Sequence, residues 1–181
     1  PLNVGAATAC VLLLSMLIVA LLFVGDYCTV YRSPRNFDLR HQVVLTFDDG
    51  PNPHADTTRR LGDVLEKHNV TAYHCIIGQY AREYPELVRL IDSRGGILVN
   101  HGFSHRSPIA SSSDIRRDYE QGTNAILAAL ENPTARVSHI RPAYAVVTPA
   151  IYKYAASAKQ KLLPFTISLD DFSHGPTGKD D

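Results

Sequence analysis

The sequence predicts an α/β fold with a mostly parallel sheet, open or closed into a barrel, preceded by one transmembrane helix. Three observations predict it. Short β-favouring runs alternate with amphipathic stretches in the order β-α-β-α-β-α-β-α-β. Those runs end at polar residues: Asp48-Asp49, His101 and His105, Arg141, and Asp170-Asp171. The stretch from Val4 to Gly25 carries no charge and no polar face at helical spacing.

That first stretch is long enough to cross a bilayer, which takes about 20 apolar residues in a helix. A cleaved signal peptide is the alternative. Its apolar part is normally shorter and ends at small residues, whereas this one ends Phe23-Val24-Gly25-Asp26. The expectation is a membrane anchor over 1–25, a polar stalk over 26–40 and one domain over 41–181. Arg32, Arg35 and Arg40, taken alone, favour the cytoplasmic side for the C-terminal domain. Pro1 at the start and Gly178-Lys179-Asp180-Asp181 at the end suggest a fragment.

A formal net charge of +0 over 181 residues argues against a nucleic-acid partner, which usually requires a basic excess. Cys10, Cys28 and Cys75 are too few and too scattered for a disulfide scaffold or a cysteine zinc site. Cys10 and Cys75 are expected to pack in apolar surroundings, which leaves Cys28 as the exposed thiol.

The first strand is Val43 to Phe47, whose dense apolar run predicts a central strand buried on both faces. It runs into Asp48-Asp49, and Gly50-Pro51 ends it. Side chains alternate along a strand, so both carboxylates reach one site only if the chain is already turning between them. Asp56 is placed as the cap of a helix to about His68, with Leu61, Val64 and Leu65 on one face. Thr71 to Ile77 is the second strand, ended by Gly78. Pro85 to Arg94 is a helix stopped by Gly95-Gly96. Ile97 to Val99 is the third strand.

Ser113 is placed as the N-cap of a helix to Leu130, with Gly122 as its weak point. Val137 to Ile140 is the fourth strand. Thr148-Pro149 is an N-cap and N1 pair for a helix to about Lys159. Leu162 to Leu169 is the fifth strand. In a parallel sheet all the polar strand ends lie on one edge, where α/β folds carry their chemistry.

His101 and His105 are spaced H-x-x-x-H. Alone, the pair is a weak signal, and its plain alternative is two surface or turn histidines. Joined by one carboxylate of the DDG stretch, it supplies two imidazoles and one oxygen, a donor set suited to catalytic Zn²⁺ or another divalent metal. The remaining aspartate is then free to act as general base. Arg141 would keep that aspartate ionised, since an adjacent cation favours the carboxylate.

Thr46-Phe47-Asp48-Asp49-Gly50-Pro51, His101-Gly102-Phe103-Ser104-His105 and Arg141-Pro142-Ala143-Tyr144, in this order, resemble the polysaccharide deacetylases, the carbohydrate esterase group with the NodB homology domain. Tyr84 to Val88 and Asn100 resemble it too, over about Gln42 to the end. The resemblance implies a distorted (β/α) barrel and metal-dependent removal of N-acetyl, sometimes O-acetyl, groups from chitin-like oligomers or peptidoglycan. It implies Asp48 as general base, and Asp49, His101 and His105 as metal ligands. It implies the Tyr144 N–H as an oxyanion donor and Arg141 as the residue holding Asp48. Asp171 would partner Arg141, with Asp170 as the alternative, and Phe172 would line the acetyl pocket.

Three departures stand out. Gly102 replaces a usual Ser or Thr, with loss of a loop-bracing bond expected, and Ala143 replaces a usual Pro. The late Leu-x-His motif, which carries the family's general acid, does not occur, and His174 does not fit it. The expectation is a chain that stops before that motif.

The implied partners are an acetylated polysaccharide and, through the N-terminal helix, the membrane, with the catalytic domain outside the cytoplasm. The alternative is a non-catalytic, membrane-tethered glycan-binding protein that keeps the fold. A Mg²⁺-dependent phosphatase fits less well, because it would not need the histidine pair.

Overall fold

The computed structural model describes residues 29–30 and 43–164. The expected anchor, most of the expected stalk, and Asp170, Asp171, Phe172 and His174 lie outside them. Among the described residues no helix is long and apolar enough to cross a membrane.

Among the described residues five strands form one parallel sheet: β2 (Leu45–Gly50), β3 (Ala72–Ile76), β4 (Ile97–Asn100), β5 (His139–Ile140) and β7 (Lys161–Leu162), side by side in that order. The helices between them are α1 (Thr57–Lys67), α2 (Gly78–Glu83), α3 (Pro85–Ser93), α4 (Ser112–Leu130) and α5 (Pro149–Ala158). A separate antiparallel pair joins β1 (Thr29–Val30) to β6 (Val146–Val147). The strand β1 lies within the stretch expected as stalk.

The core lies between the sheet and its helices. Ile76 and Leu98 from the sheet meet Val88 and Ile91 of α3 and Ile126 and Ala129 of α4. A second cluster joins Ile140 to Ile115 and Tyr119 of α4 and Ile151 and Tyr154 of α5. Helix α4 is the central support, packed against α2, α3 and α5. Both helix starts with proline follow the expected logic: Pro85 and Pro149 sit in the first turn, where no N–H is needed. The Thr148 hydroxyl caps α5 by accepting from the Ile151 amide.

Several expectations are corrected. Among the described residues β2 pairs on one side only, with β3, and Val43 and Val44 are 86% and 55% exposed. An apolar run shows what a strand can bury, not which neighbours lie beside it. Asp56 has no capping bond to α1. It sits in the left-handed region and pairs with Arg59, while Thr58 ties the helix start to Asn52. The cap of α4 is Ser111, which accepts from the Asp114 amide, so Ser113 lies inside the helix.

Gly78 does not only end a strand; it opens the short helix α2. Gly122 is the site of close helix–sheet contact. A Cβ there would lie 2.4 Å from Asn100 Oδ1 and 2.9 Å from the Gly102 carbonyl carbon.

Candidate active site

The ends of β2, β4 and β5 bring Asp48, Asp49, His101, His105, Arg141 and Tyr144 to one edge of the sheet. The turn needed between the two aspartates is present. Asp49 has φ 61°, and the register of β2 with β3 shifts between Phe47 and Gly50. That bulge aims both carboxylates at the same edge. Left-handed backbone recurs around the site, at His105 (φ 49°), Tyr144 (φ 58°) and Ala145 (φ 54°). Such strain in non-glycine residues is characteristic of functional sites.

Asp49 Oδ1 lies 3.4 Å from His101 Nε2 and 3.4 Å from His105 Nε2. One donor atom from each of the three residues falls within 4.8 Å of the others. His101 is 2% exposed, and its Nδ1 lies 2.7 Å from the Arg141 carbonyl. A carbonyl only accepts, so Nδ1 carries the proton. In the neutral ring the Nε2 lone pair then faces a carboxylate oxygen. Only a cation between them, a proton or a metal, removes that repulsion.

The hydrogen bond with His101 holds the Asp49 carboxyl below its ordinary value. Burial opposes this, and the charges of His101 and His105 assist it. A donor set of one carboxylate and two imidazoles, one already oriented by an outer carbonyl, fits a divalent transition metal.

The Arg141 guanidinium holds the other aspartate. Its Nη1 donates to both oxygens of Asp48, at 3.3 and 3.2 Å. Its Nε donates to the Leu163 carbonyl, and its Nη2 donates to Thr46 Oγ1 and the Pro164 carbonyl. Arg141 is 3% exposed, so this fork is held rigidly. Its expected partner Asp171, its alternative Asp170 and the expected pocket residue Phe172 fall outside the described residues. The Ala143–Ala145 turn places the Tyr144 ring 4.8 Å from that of His105.

Cys75 is fully buried, as a packing residue should be. Burial pushes its thiol well up, and the neighbouring Asp48 charge pushes it further, so it stays neutral.

Sequence reasoning missed one residue at this edge. Asp118, on α4, accepts from the Phe103 amide, the Ser104 amide and the Ser104 hydroxyl. Its signal was present: an acidic residue beside Ile115, Tyr119 and Gly122, on the face that α4 buries.

The parallel sheet thus collects two aspartates, two histidines and an arginine at its strand ends. The chain belongs to the polysaccharide deacetylase family, whose profile matches residues 38–163. A chitooligosaccharide deacetylase of Sinorhizobium fredii is 33% identical over 77% of this chain and 64% of its own length. A chitooligosaccharide deacetylase of Rhizobium leguminosarum bv. trifolii is 38% identical over 55% of this chain and 45% of its own. A peptidoglycan-N-acetylglucosamine deacetylase of Bacillus cereus is 28% identical over 83% of this chain and 52% of its own.

Among solved structures, a family 4 carbohydrate esterase from Streptomyces lividans, in complex with acetate, superposes with a TM-score of 0.66. It is 24% identical over 72% of this chain and 66% of that one. A family 4 pseudoenzyme from Bacillus anthracis superposes at 0.64, with 21% identity over 74% of this chain and 45% of its own. Fold alone therefore does not carry activity. The chain spans about half to two thirds of the length of these relatives.

Proposed function

We propose that the full protein is a metal-dependent hydrolase that removes N-acetyl groups from an N-acetylglucosamine polymer, with a chitin-like or peptidoglycan chain as substrate. The observation that carries this is the pairing of two adjacent aspartates with different partners. Asp49 meets the two imidazoles, and Asp48 is held by Arg141. A phosphatase-type site built on carboxylates alone would not use His101 and His105. The names of the relatives support the acetylated-glycan substrate.

Asp49, His101 and His105 would hold Zn²⁺ or another divalent transition metal. When bound, it would supply Lewis acidity and an acidified water at neutral pH. Asp48 takes the proton of the attacking water. Arg141 fixes both oxygens of Asp48. The Tyr144 N–H is assigned to the oxyanion that develops on the acetyl group. Asp171 and Phe172 are assigned to support Arg141 and to line the acetyl pocket. The products are acetate and a free amine. The proton for that amine is assigned to a late Leu-x-His in a longer chain.

The same reading takes the sheet as part of a distorted (β/α) barrel. It takes residues 1–25 as a membrane anchor that leaves the domain outside the cytoplasm, where such polymers lie. The test is acetate release from N-acetylglucosamine oligomers and peptidoglycan by the full-length, Zn²⁺-loaded protein. No acetate from any acetylated glycan would sink the proposal.

A further inference from the structure

The loop that carries both histidines has a brace that no motif of the sequence announces. From His101 to His105 the chain turns sharply, with Gly102 at φ 82° and His105 at φ 49°. Its backbone groups are taken up from three sides. The His101 amide donates to the Ile76 carbonyl, and the Gly102 amide donates to Asn100 Oδ1. The Gly102 and Phe103 carbonyls accept from the Gly78 and Gln79 amides at the start of α2. The next two amides, those of Phe103 and Ser104, both donate to Asp118, each at 3.1 Å. The Ser104 hydroxyl donates to the same carboxylate at 2.7 Å.

Asp118 is 6% exposed. An acidic side chain is seldom buried without a cation or several donors, because its desolvation is costly. Here three donors, all from Phe103 and Ser104, satisfy it. The fit is also tight on the other side. A Cβ on Gly102 would lie 2.5 Å from Asp118 Oδ2, so the glycine makes room for the carboxylate.

We infer that Asp118 is a positioning residue for the metal site: it sets the turn at Phe103-Ser104 that presents His105 to Asp49 and His101. The inference rests on the metal-site reading of those three residues. Outer partners of metal ligands typically alter affinity or activity by about 10- to 100-fold. An asparagine cannot replace this carboxylate. Its NH₂ must face either the Phe103 or the Ser104 amide, and a donor facing a donor leaves that buried N–H unpaired.

The experiment measures Zn²⁺ affinity by chelator competition, and the absorption spectrum of the Co²⁺-substituted full-length protein. The proteins are wild type, Asp118→Asn, Ser104→Ala and Ile126→Val. Ile126 is buried in the core on the same helix and bonds to nothing in the loop, so it reports the effect of lost stability alone. The expected result has three parts. Zn²⁺ binding is about 10-fold or more weaker in Asp118→Asn, with an altered Co²⁺ spectrum. The loss is smaller in Ser104→Ala, which keeps both amide bonds. Binding is unchanged in Ile126→Val, even where its melting temperature falls. Should Asp118→Asn fail to fold, the Ser104→Ala affinity and spectrum decide.

Wild-type affinity and spectrum in Asp118→Asn, or in Ser104→Ala where that variant decides, would overturn the inference and leave the metal site standing. Equal weakening in Ile126→Val would also overturn it, by showing a general loss of packing. A wild-type protein that binds neither ion would overturn both.

Discussion

The proton on His101 Nδ1 is fixed by the Arg141 carbonyl, 2.7 Å away, while the guanidinium of that same arginine holds Asp48. One residue therefore orients the His101 imidazole through its backbone and Asp48 through its side chain. These two roles separate cleanly under mutation.

Arg141→Lys keeps the backbone carbonyl and so keeps His101 in place. It loses the fork, because one ammonium cannot reach Asp48, Thr46 and two carbonyls at once. We expect Zn²⁺ affinity within about threefold of wild type. We expect kcat to fall about 100-fold, the scale at which misplacement of a reacting group by about 1 Å is felt. Paired calorimetry and acetate-release kinetics check this, and loss of zinc binding would count against it.

On the proposed reading, replacing His101 or His105 by Ala removes a ligand rather than its support. Zn²⁺ affinity should drop by more than about 100-fold, beyond the effect of an outer partner. In wild type the affinity should also fall as the solution is acidified, because protons compete for the same lone pairs. Isothermal titration at several pH values measures both.

Asp48→Asn separates base from ligand. Zn²⁺ should still bind, while kcat falls about 10²- to 10⁴-fold, the usual contribution of a general base. A variant that loses zinc instead would place Asp48 among the ligands.

Gly122→Ala sets two effects against each other. Alanine is the better helix former by about 1 kcal/mol. Its Cβ, however, would meet Asn100 Oδ1 at 2.4 Å and backbone atoms of Gly102 at 2.9 and 3.0 Å. Overpacking against backbone costs about 1–3 kcal/mol, and the Asn100–Gly102 bond is disturbed as well. We expect a net destabilisation of about 1–2 kcal/mol by urea unfolding. A more stable variant would show that α4 can move away.

His74, 7% exposed and 5.7 Å from the Phe47 ring, gives the fold an acid limit. Burial pushes its imidazole from 6.5 down to about 4. Below 6.5 the unfolded chain takes up a proton that the folded protein refuses until about 4, so stability falls as pH falls through that window. Above it the group contributes no pH dependence. At about 1.4 kcal/mol per pKa unit, the loss by pH ~4.5 is on the order of 2 kcal/mol. His74→Leu should lose correspondingly less between pH ~7.5 and ~4.5 in urea unfolding of the zinc-free protein. Equal losses in both proteins would refute the assignment.

Much of this architecture is legible in the sequence because it is written in local chemistry. Period and turn residues mark β3, α3 and α5 almost to the residue, since Pro85 and Pro149 can only begin a helix and Gly95 readily leaves one. The motif residues Asp48, Asp49, His101, His105 and Arg141 stand at strand ends, where a parallel sheet must gather them.

Other features depend on contacts far apart in the chain, which local chemistry does not encode. The bulge that turns Asp49 toward Asp48 is set by the register of β2 against β3. The single partner of β2 among the described residues follows from which strands pair, not from how apolar Val43 and Val44 are. The tautomer of His101 is fixed by a carbonyl 40 residues away. Asp118 becomes a brace only when α4 packs beneath the histidine loop. By itself the sequence determined which residues could do the chemistry. The tertiary structure decided which of them meet, because hydrogen bonds between distant segments exist only once those segments are packed together.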